Sequence, residues 1–216
     1  MSKTETESSK ALNEAAENLS QAVGALERGR VIVYPTETLY GLGADALNDE
    51  AVQKVFQLKG RRPDSPIPVL ISDQRMLQTL VADVSSLARK LMDEFWPGPL
   101  TLVLPARKNI PKPLLSPLGG VGVRISRQST ATQLVKALGR PLTATSANPS
   151  GKEPARSLDE AKKYFADKIP VFIDGGTLTS KRGSTVVEVL AGKIRIIREG
   201  EIKAVKLRQI LGKQNA

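Results

Sequence analysis

The 216-residue sequence contains no cysteine and no histidine. The first absence removes disulfides, thiolate metal sites and cysteine nucleophiles; the second removes serine–histidine catalysis and the commonest transition-metal ligand. Aromatic residues make up only 4% of the chain, so stacking platforms of the kind that hold single-stranded nucleic acid are scarce. No run approaches the ~20 apolar residues of a membrane span, and the opening MSKTETESSK is polar and unlike a signal peptide. A soluble, cytoplasmic protein with no membrane attachment is expected. Hydroxyls, carboxylates, lysines and arginines are what remain for chemistry.

An apolar fraction of 40% is enough for a substantial core, and the length suits one large domain or two small ones at ~150 residues each. Residues 121–216 carry 18 Lys and Arg against 8 Asp and Glu, which accounts for the whole net charge of +10. That asymmetry favours anionic partners, either nucleic acid or a phosphate-bearing small molecule, with plain solubility as the alternative.

Periodicity divides the chain into alternating elements. Residues 1–10 read as a disordered start, followed by one domain over 11–212. Leu12, Ala15, Ala16, Leu19, Val23 and Leu26 recur at helical spacing before Gly29. Asp49 can cap a second helix running through Leu58, Asp73 a short third, and a further helix from Ser85 stops at WPGP. Strands are expected at 31–34, 67–72, 100–104, 121–126, 142–145, 171–173, 185–190 and 194–197, with helices at 130–138, 158–165 and 205–211. STVVEVLAGKIRII reads as a hairpin, so the sheet is mixed. The expected class is α/β: a single domain built on an open twisted mixed sheet flanked by helices. The loop 105–120 is long enough to be a candidate lid.

The stretch VIVYPTETLYGLG, Val31 to Gly43, is the centre of interest. A β-branched run breaks at Pro35, which cannot donate to a ladder, and delivers Thr36, Glu37, Thr38 and Tyr40 to a strand end, with Gly41 and Gly43 giving the backbone room to turn. Lys59, Arg61 and Arg62 follow a helix in a proline-stiffened loop; a guanidinium beside an ammonium suits phosphate or carboxylate oxygens, and a basic helix end complementing the dipole is the plain alternative. Strand alternation puts Arg124 beside Gly122, where either a ligand carboxylate or a protein carboxylate could meet the guanidinium. TSANPSG supplies Ser146, Asn148, Ser150 and Gly151 as an anion seat or an ordinary turn. Ser184 and Thr185 open a strand, and Arg198 ends one. Neither GxxxxGK[ST] nor GxGxxG occurs.

Taken in order, YPTETLYGLG, KGR with Pro66 downstream, FWPGPLTLVL, VGVRIS, TSANPSG, STVVEV and IIREG resemble the YrdC-like threonylcarbamoyl-AMP synthases over roughly residues 20–200. The resemblance implies a positively charged concave pocket and the joining of L-threonine, bicarbonate and ATP into threonylcarbamoyl-AMP and pyrophosphate, the first step of a tRNA modification completed by a downstream transfer complex. By the same resemblance, Thr36, Arg124, Ala144 and Ser184 would bind threonine. Lys59 and Arg61 would be catalytic and clamp the phosphates. Ser146, Asn148 and Arg198 would hold the nucleotide, and Mg²⁺ would accompany ATP rather than occupy a protein cage. Three features depart from the pattern: Arg62 stands where many members have proline, IPVLIS lacks a histidine that some carry, and the extra C-terminal domain of longer members is not present in this sequence. An RNA-binding relative without synthase activity, and a carbamoyl-transfer domain of the hydrogenase-maturation kind, are the competing readings.

Overall fold

The structure, a computed structural model, describes residues 3–62 and 65–212. In chain order its elements are α1 (Lys3–Glu27), β1 (Ile32–Pro35), β2 (Tyr40–Gly43), α2 (Asp49–Lys59), β3 (Val69–Leu70), α3 (Gln74–Leu80), α4 (Ser86–Phe95), β4 (Leu100–Pro105) and β5 (Gly120–Arg124). These are followed by α5 (Ser129–Leu138), β6 (Leu142–Thr143), β7 (Thr145–Ser146), α6 (Leu158–Phe165), β8 (Val171–Phe172), β9 (Thr185–Leu190), β10 (Lys193–Arg198) and α7 (Ala204–Gly212).

Local chemistry accounts for most boundaries. Helix α1 begins at Lys3 instead of Ala11, taking in most of the stretch read as a disordered start, since that stretch has neither glycine nor proline to stop a helix. Asn48, not Asp49, caps α2 by accepting from Ala51 N at 3.0 Å; Asp49 sits in the first turn, where its charge favours the helix dipole. Asp73 caps α3, and Ser85 and Ser157 cap α4 and α6. The expected strand 67–72 shrinks to two residues because Pro66 and Pro68 remove ladder donors.

The strands form two sheets, not the single sheet expected. One has four strands in the order β7-β2-β1-β8, the other six in the order β10-β9-β4-β5-β3-β6. Both mix parallel and antiparallel pairs, β1 with β8 and β4 with β9 among the parallel ones. The hairpin β9–β10 forms as read from the sequence, with Ala191 and Gly192 at φ 49° and 70° in its turn. The expected strand 142–145 breaks at Ala144, where the chain leaves the six-stranded sheet and joins the four-stranded one.

Thr143, fully buried, ties that crossing. Its N–H donates to Ala44 O, its hydroxyl accepts from Ala44 N and donates to Leu42 O, and its carbonyl accepts from Tyr34 Oη at 2.9 Å. One apolar cluster packs α1 against α5 and the sheets through Leu26, Ile32, Tyr34, Leu134 and Leu142. The larger one gathers the inner faces of α2, α4 and α6. The loop proposed as a lid is anchored along its length: Ile110 and Leu114 are buried, and Arg107 N bonds Leu80 O.

Gly41 and Gly43 have a different reason from the one expected. Both lie inside β2, and the Tyr34 ring crosses them so closely that a Cβ at Gly43 would stand 2.8 Å from Tyr34 Cε1. Gly43→Ala should therefore cost about 1–3 kcal/mol by overpacking a rigid ring. Denaturant melts measure this, and an unchanged midpoint would show that the ring gives way freely.

Candidate active site

The ends of β1, β2, β5 and β7 converge on a pocket of about 340 Å³ at the seam between the sheets. Of the residues singled out in the sequence, Thr36, Thr38, Tyr40, Arg61, Arg124, Ala144, Ser146, Ser184 and Arg198 line it. Glu37, Lys59 and Asn148 do not. A groove of about 510 Å³ continues from the pocket past Arg61, Pro68 and Arg198, floored by Gly120 and Gly122.

Arg124 ends β5, and its guanidinium is fixed from two sides. Nε donates to Gly98 O at 3.0 Å, and Nη2 lies 2.7 Å from Glu37 Oε2. The WPGP stop puts that carbonyl there: Gly98 N bonds Ile125 O, and any Cβ at Gly98 would lie 2.4 Å from Phe95 O. Arg124 thus meets a protein carboxylate, and the space beside Gly122 is taken by Pro68. Ser126 Oγ donates to the same Glu37 oxygen. Burial, the largest effect, raises the pKa of Glu37, but the charge of Arg124 with the hydrogen bonds from Ser126 and its own backbone outweighs it and holds the carboxyl below its usual range. Glu37 Oε1 is buried with no hydrogen-bond partner among the described residues.

Thr36 folds the strand end into a turn: its hydroxyl donates to Leu39 O at 2.7 Å and accepts from Thr38 N and Leu39 N, both at 3.1 Å. Tyr40 Oη accepts from Gly175 N at 2.9 Å and donates to Gly176 O at 2.8 Å, bracing the loop that leads to Ser184. Ser184 Oγ meets Thr101 Oγ1 at 2.8 Å. Thr185 Oγ1 bonds Ile202 O, Ile202 N and Gly200 N and is structural.

The cations differ in what holds them. Arg61 gives Nε to Ser65 O at 2.7 Å and Nη2 to Pro66 O at 3.2 Å, and Arg198 gives Nη2 to Ser184 O at 2.9 Å. Burial, and after it the charges of Arg61 and Arg124, pushes the pKa of Arg198 down. Lys59 is the last residue of α2 rather than a loop residue, 3% exposed, and its Nζ reaches Ser146 O at 2.6 Å, Asn148 O at 2.8 Å and Asn148 Oδ1 at 3.3 Å. It does not turn back to its own helix end. Asn148 spends its amide on Pro149 O and Lys152 O. Arg182, which lines the pocket beside Glu199, was not singled out; its signal was the Lys-Arg pair just before Gly183-Ser184. Arg62 is exposed in the loop following Gly60.

The profile of the Sua5, YciO and YrdC family, described as telomere recombination, matches residues 24–200. The chain belongs to this family. It is 36% identical to the threonylcarbamoyl-AMP synthase of Pyrococcus abyssi over 88% of this chain and 56% of that protein. It is 34% identical to a putative threonylcarbamoyl-AMP synthase of Mycobacterium tuberculosis over 88% of each. The chain thus spans little more than half of the first relative and nearly all of the second. The crystal structure of P. abyssi Sua5 complexed with L-threonine superposes with a TM-score of 0.86 at 35% identity, over 90% of this chain and 57% of that one. Among the described residues no helix is long and apolar enough to cross a membrane.

Burial first, and then the charge of Arg61, lowers the pKa of Lys59 from 10.5 to about 7. Between those values the unfolded chain binds the extra proton, so this residue's contribution to stability rises with pH across that window. NMR of ¹³Cε-labelled lysine should show one side chain titrating near 7 that disappears in Lys59→Arg. A spectrum in which every lysine titrates near its ordinary value would refute the assignment.

Proposed function

We propose that this chain makes threonylcarbamoyl-AMP in the pocket between its two sheets. What carries the reading is convergence: residues from the PTET, KGR, VGVR, TSAN, STVV and IIREG segments, far apart in sequence, meet around one cleft. Family membership and the threonine complex of a relative support it.

L-Threonine sits at the Arg124 end, its carboxylate toward the guanidinium and its remaining polar groups near Thr36, Ala144 and Ser184. ATP lies along the opposite wall, with phosphates against Arg61, Arg198 and the Ser146 hydroxyl, and extends into the contiguous groove past Pro68. The amine of threonine condenses with bicarbonate, losing water, to give a carbamate. A carbamate oxygen then attacks the α-phosphorus, the bond to the bridging oxygen breaks, and pyrophosphate leaves. Such a displacement needs alignment and neutralisation of charge rather than a protein nucleophile, which fits a chain without cysteine or histidine. The donors facing the phosphates are guanidiniums and hydroxyls, a set that fits Mg²⁺ carried in on the nucleotide's own oxygens and not a bare ion.

Lys59 and Asn148 act through the wall. With its three N–H groups on the 146–148 turn, Lys59 shapes the seat that Ser146 offers to phosphate. The product is consumed by a transfer complex acting on tRNA in the cytoplasm, and the basic last 96 residues favour contact with RNA.

Incubation of the purified protein with ATP, threonine and bicarbonate should release pyrophosphate in a threonine-dependent manner. Arg61→Ala should lower the turnover about 10²–10³-fold, as loss of one preorganised donor to developing charge does, with an unchanged melting curve. Equal pyrophosphate release with and without threonine would overturn the synthase reading and favour the RNA-binding one.

A further inference from the structure

We propose that Glu37 sorts the two substrates within the cleft: paired with Arg124, it makes that end electrically balanced, fit for a zwitterionic amino acid and closed to phosphate. The inference rests on the synthase reading above.

A pocket that holds polyphosphate and an amino acid side by side faces a problem that four arginines alone do not solve. Arg61, Arg124, Arg182 and Arg198 all line it, and any of them could take a phosphate oxygen. ATP and pyrophosphate carry far more negative charge than one carboxylate, so an uncompensated arginine at the amino-acid end would be occupied by phosphate.

The surroundings of these arginines differ in the way that resolves the problem. Arg61 and Arg198 are oriented by backbone carbonyls, Ser65 O, Pro66 O and Ser184 O, which fix a guanidinium without cancelling its charge. Among the described residues neither makes an ion pair. The rim carboxylate Glu199 is engaged by Lys203 at 3.3 Å and Arg182 at 3.9 Å. Arg124 instead has Glu37 at 2.7 Å, with the two side chains 6% and 17% exposed, so the attraction acts where water screens little. Ser126 holds the carboxylate in place, and its lowered pKa keeps it charged at neutral pH.

Within the pair Arg124 Nη2 is engaged by Glu37 Oε2, while Glu37 Oε1 accepts no hydrogen bond among the described residues. A zwitterion brings a positive charge toward Glu37 together with a negative one toward Arg124. A phosphate, which at neutral pH offers acceptors almost alone, brings no compensating positive charge and is repelled by the carboxylate. Glu37 is therefore a specificity-determining residue acting chiefly through Arg124, at a strand-end position between the two pocket-lining threonines Thr36 and Thr38.

Calorimetric titration of the full chain with L-threonine, alone and in the presence of pyrophosphate, tests this. In the unmodified protein, threonine binding should be insensitive to pyrophosphate. Glu37→Gln, which keeps the shape and removes the charge, should weaken threonine about tenfold or more, the range expected for losing a partner to a charged group, and should make pyrophosphate competitive with threonine. Glu37→Asp and Ser126→Ala both retain the charge and should keep pyrophosphate excluded. Melting curves accompany each variant; should Glu37→Gln not fold, entry of pyrophosphate into the threonine site of either charge-retaining variant overturns the proposal and its continued exclusion supports it. A folded Glu37→Gln that still excludes pyrophosphate overturns it as well while leaving the synthase reading intact. An unmodified protein that binds no threonine overturns both.

Discussion

The arrangement depends on a crossing two residues long. At Thr143 the chain belongs to the six-stranded sheet and at Thr145 to the four-stranded one, and the polar groups of Thr143 are all used in holding that transition. Buried backbone groups must find partners, and a strand that changes sheets in mid-course leaves some without ladder neighbours. Tyr34 meets one of these needs by sending its hydroxyl to Thr143 O, and that placement lays its ring over Gly41 and Gly43. The tyrosine, the two glycines and the threonine thus form one requirement distributed over 110 residues of sequence. Because the sheets meet here, strand ends from both face a common space, and that space is the pocket.

Within the pocket the arginines are oriented before any ligand arrives. Gly98 O takes Arg124 Nε, Ser65 O and Pro66 O take Arg61, and Ser184 O takes Arg198. Charge fixed in advance stabilises a transition state without reorganisation at the moment of reaction. The cost of crowding cations is visible in the downward shift of Arg198, after burial, by Arg61 and Arg124. Arg124, unlike Arg61 and Arg198, carries its own countercharge in Glu37.

Much of this was legible in the sequence, and the omissions have physical causes. Helix caps, the β9–β10 hairpin and the mixed α/β class follow from local signals: side chains that satisfy free helix N–H groups, positive-φ turn residues and alternation. The site was legible as a set of segments, since YPTET, KGR, VGVR, TSAN, STVV and IIREG contribute seven of the expected residues to the pocket. Division into two sheets was not legible, because the break at Ala144 carries no proline or glycine and is imposed by partners some hundred residues away. Gly41 and Gly43 look like turn glycines until the Tyr34 ring is placed on them. Lys59 and Asn148 were read as facing a ligand, and the sequence has no means of saying that each spends its donors on the 146–148 turn and its continuation. Glu37 was left open for the converse reason: a carboxylate at a strand end declares its partner only when Arg124 arrives from β5.

Lys59 shows how the core reaches the chemistry. Helix α2 buries Ala51, Val52, Val55 and Phe56, so its rotation is set by apolar packing, and its last residue must then project where that packing dictates. Lys59 grips the TSANPSG segment at both ends, through Nζ to Ser146 O and Asn148 O and through its own carbonyl, which accepts from Ser150 N at 2.7 Å. One residue on, Gly60 takes the left-handed conformation at φ 56° that ends the helix and releases the chain toward Arg61. A single helix terminus therefore sets both the turn that carries Ser146 and the loop that carries Arg61, two walls of the cleft. Substitution on the buried face of α2 would move both together, which makes the geometry of the cleft a consequence of how this helix packs.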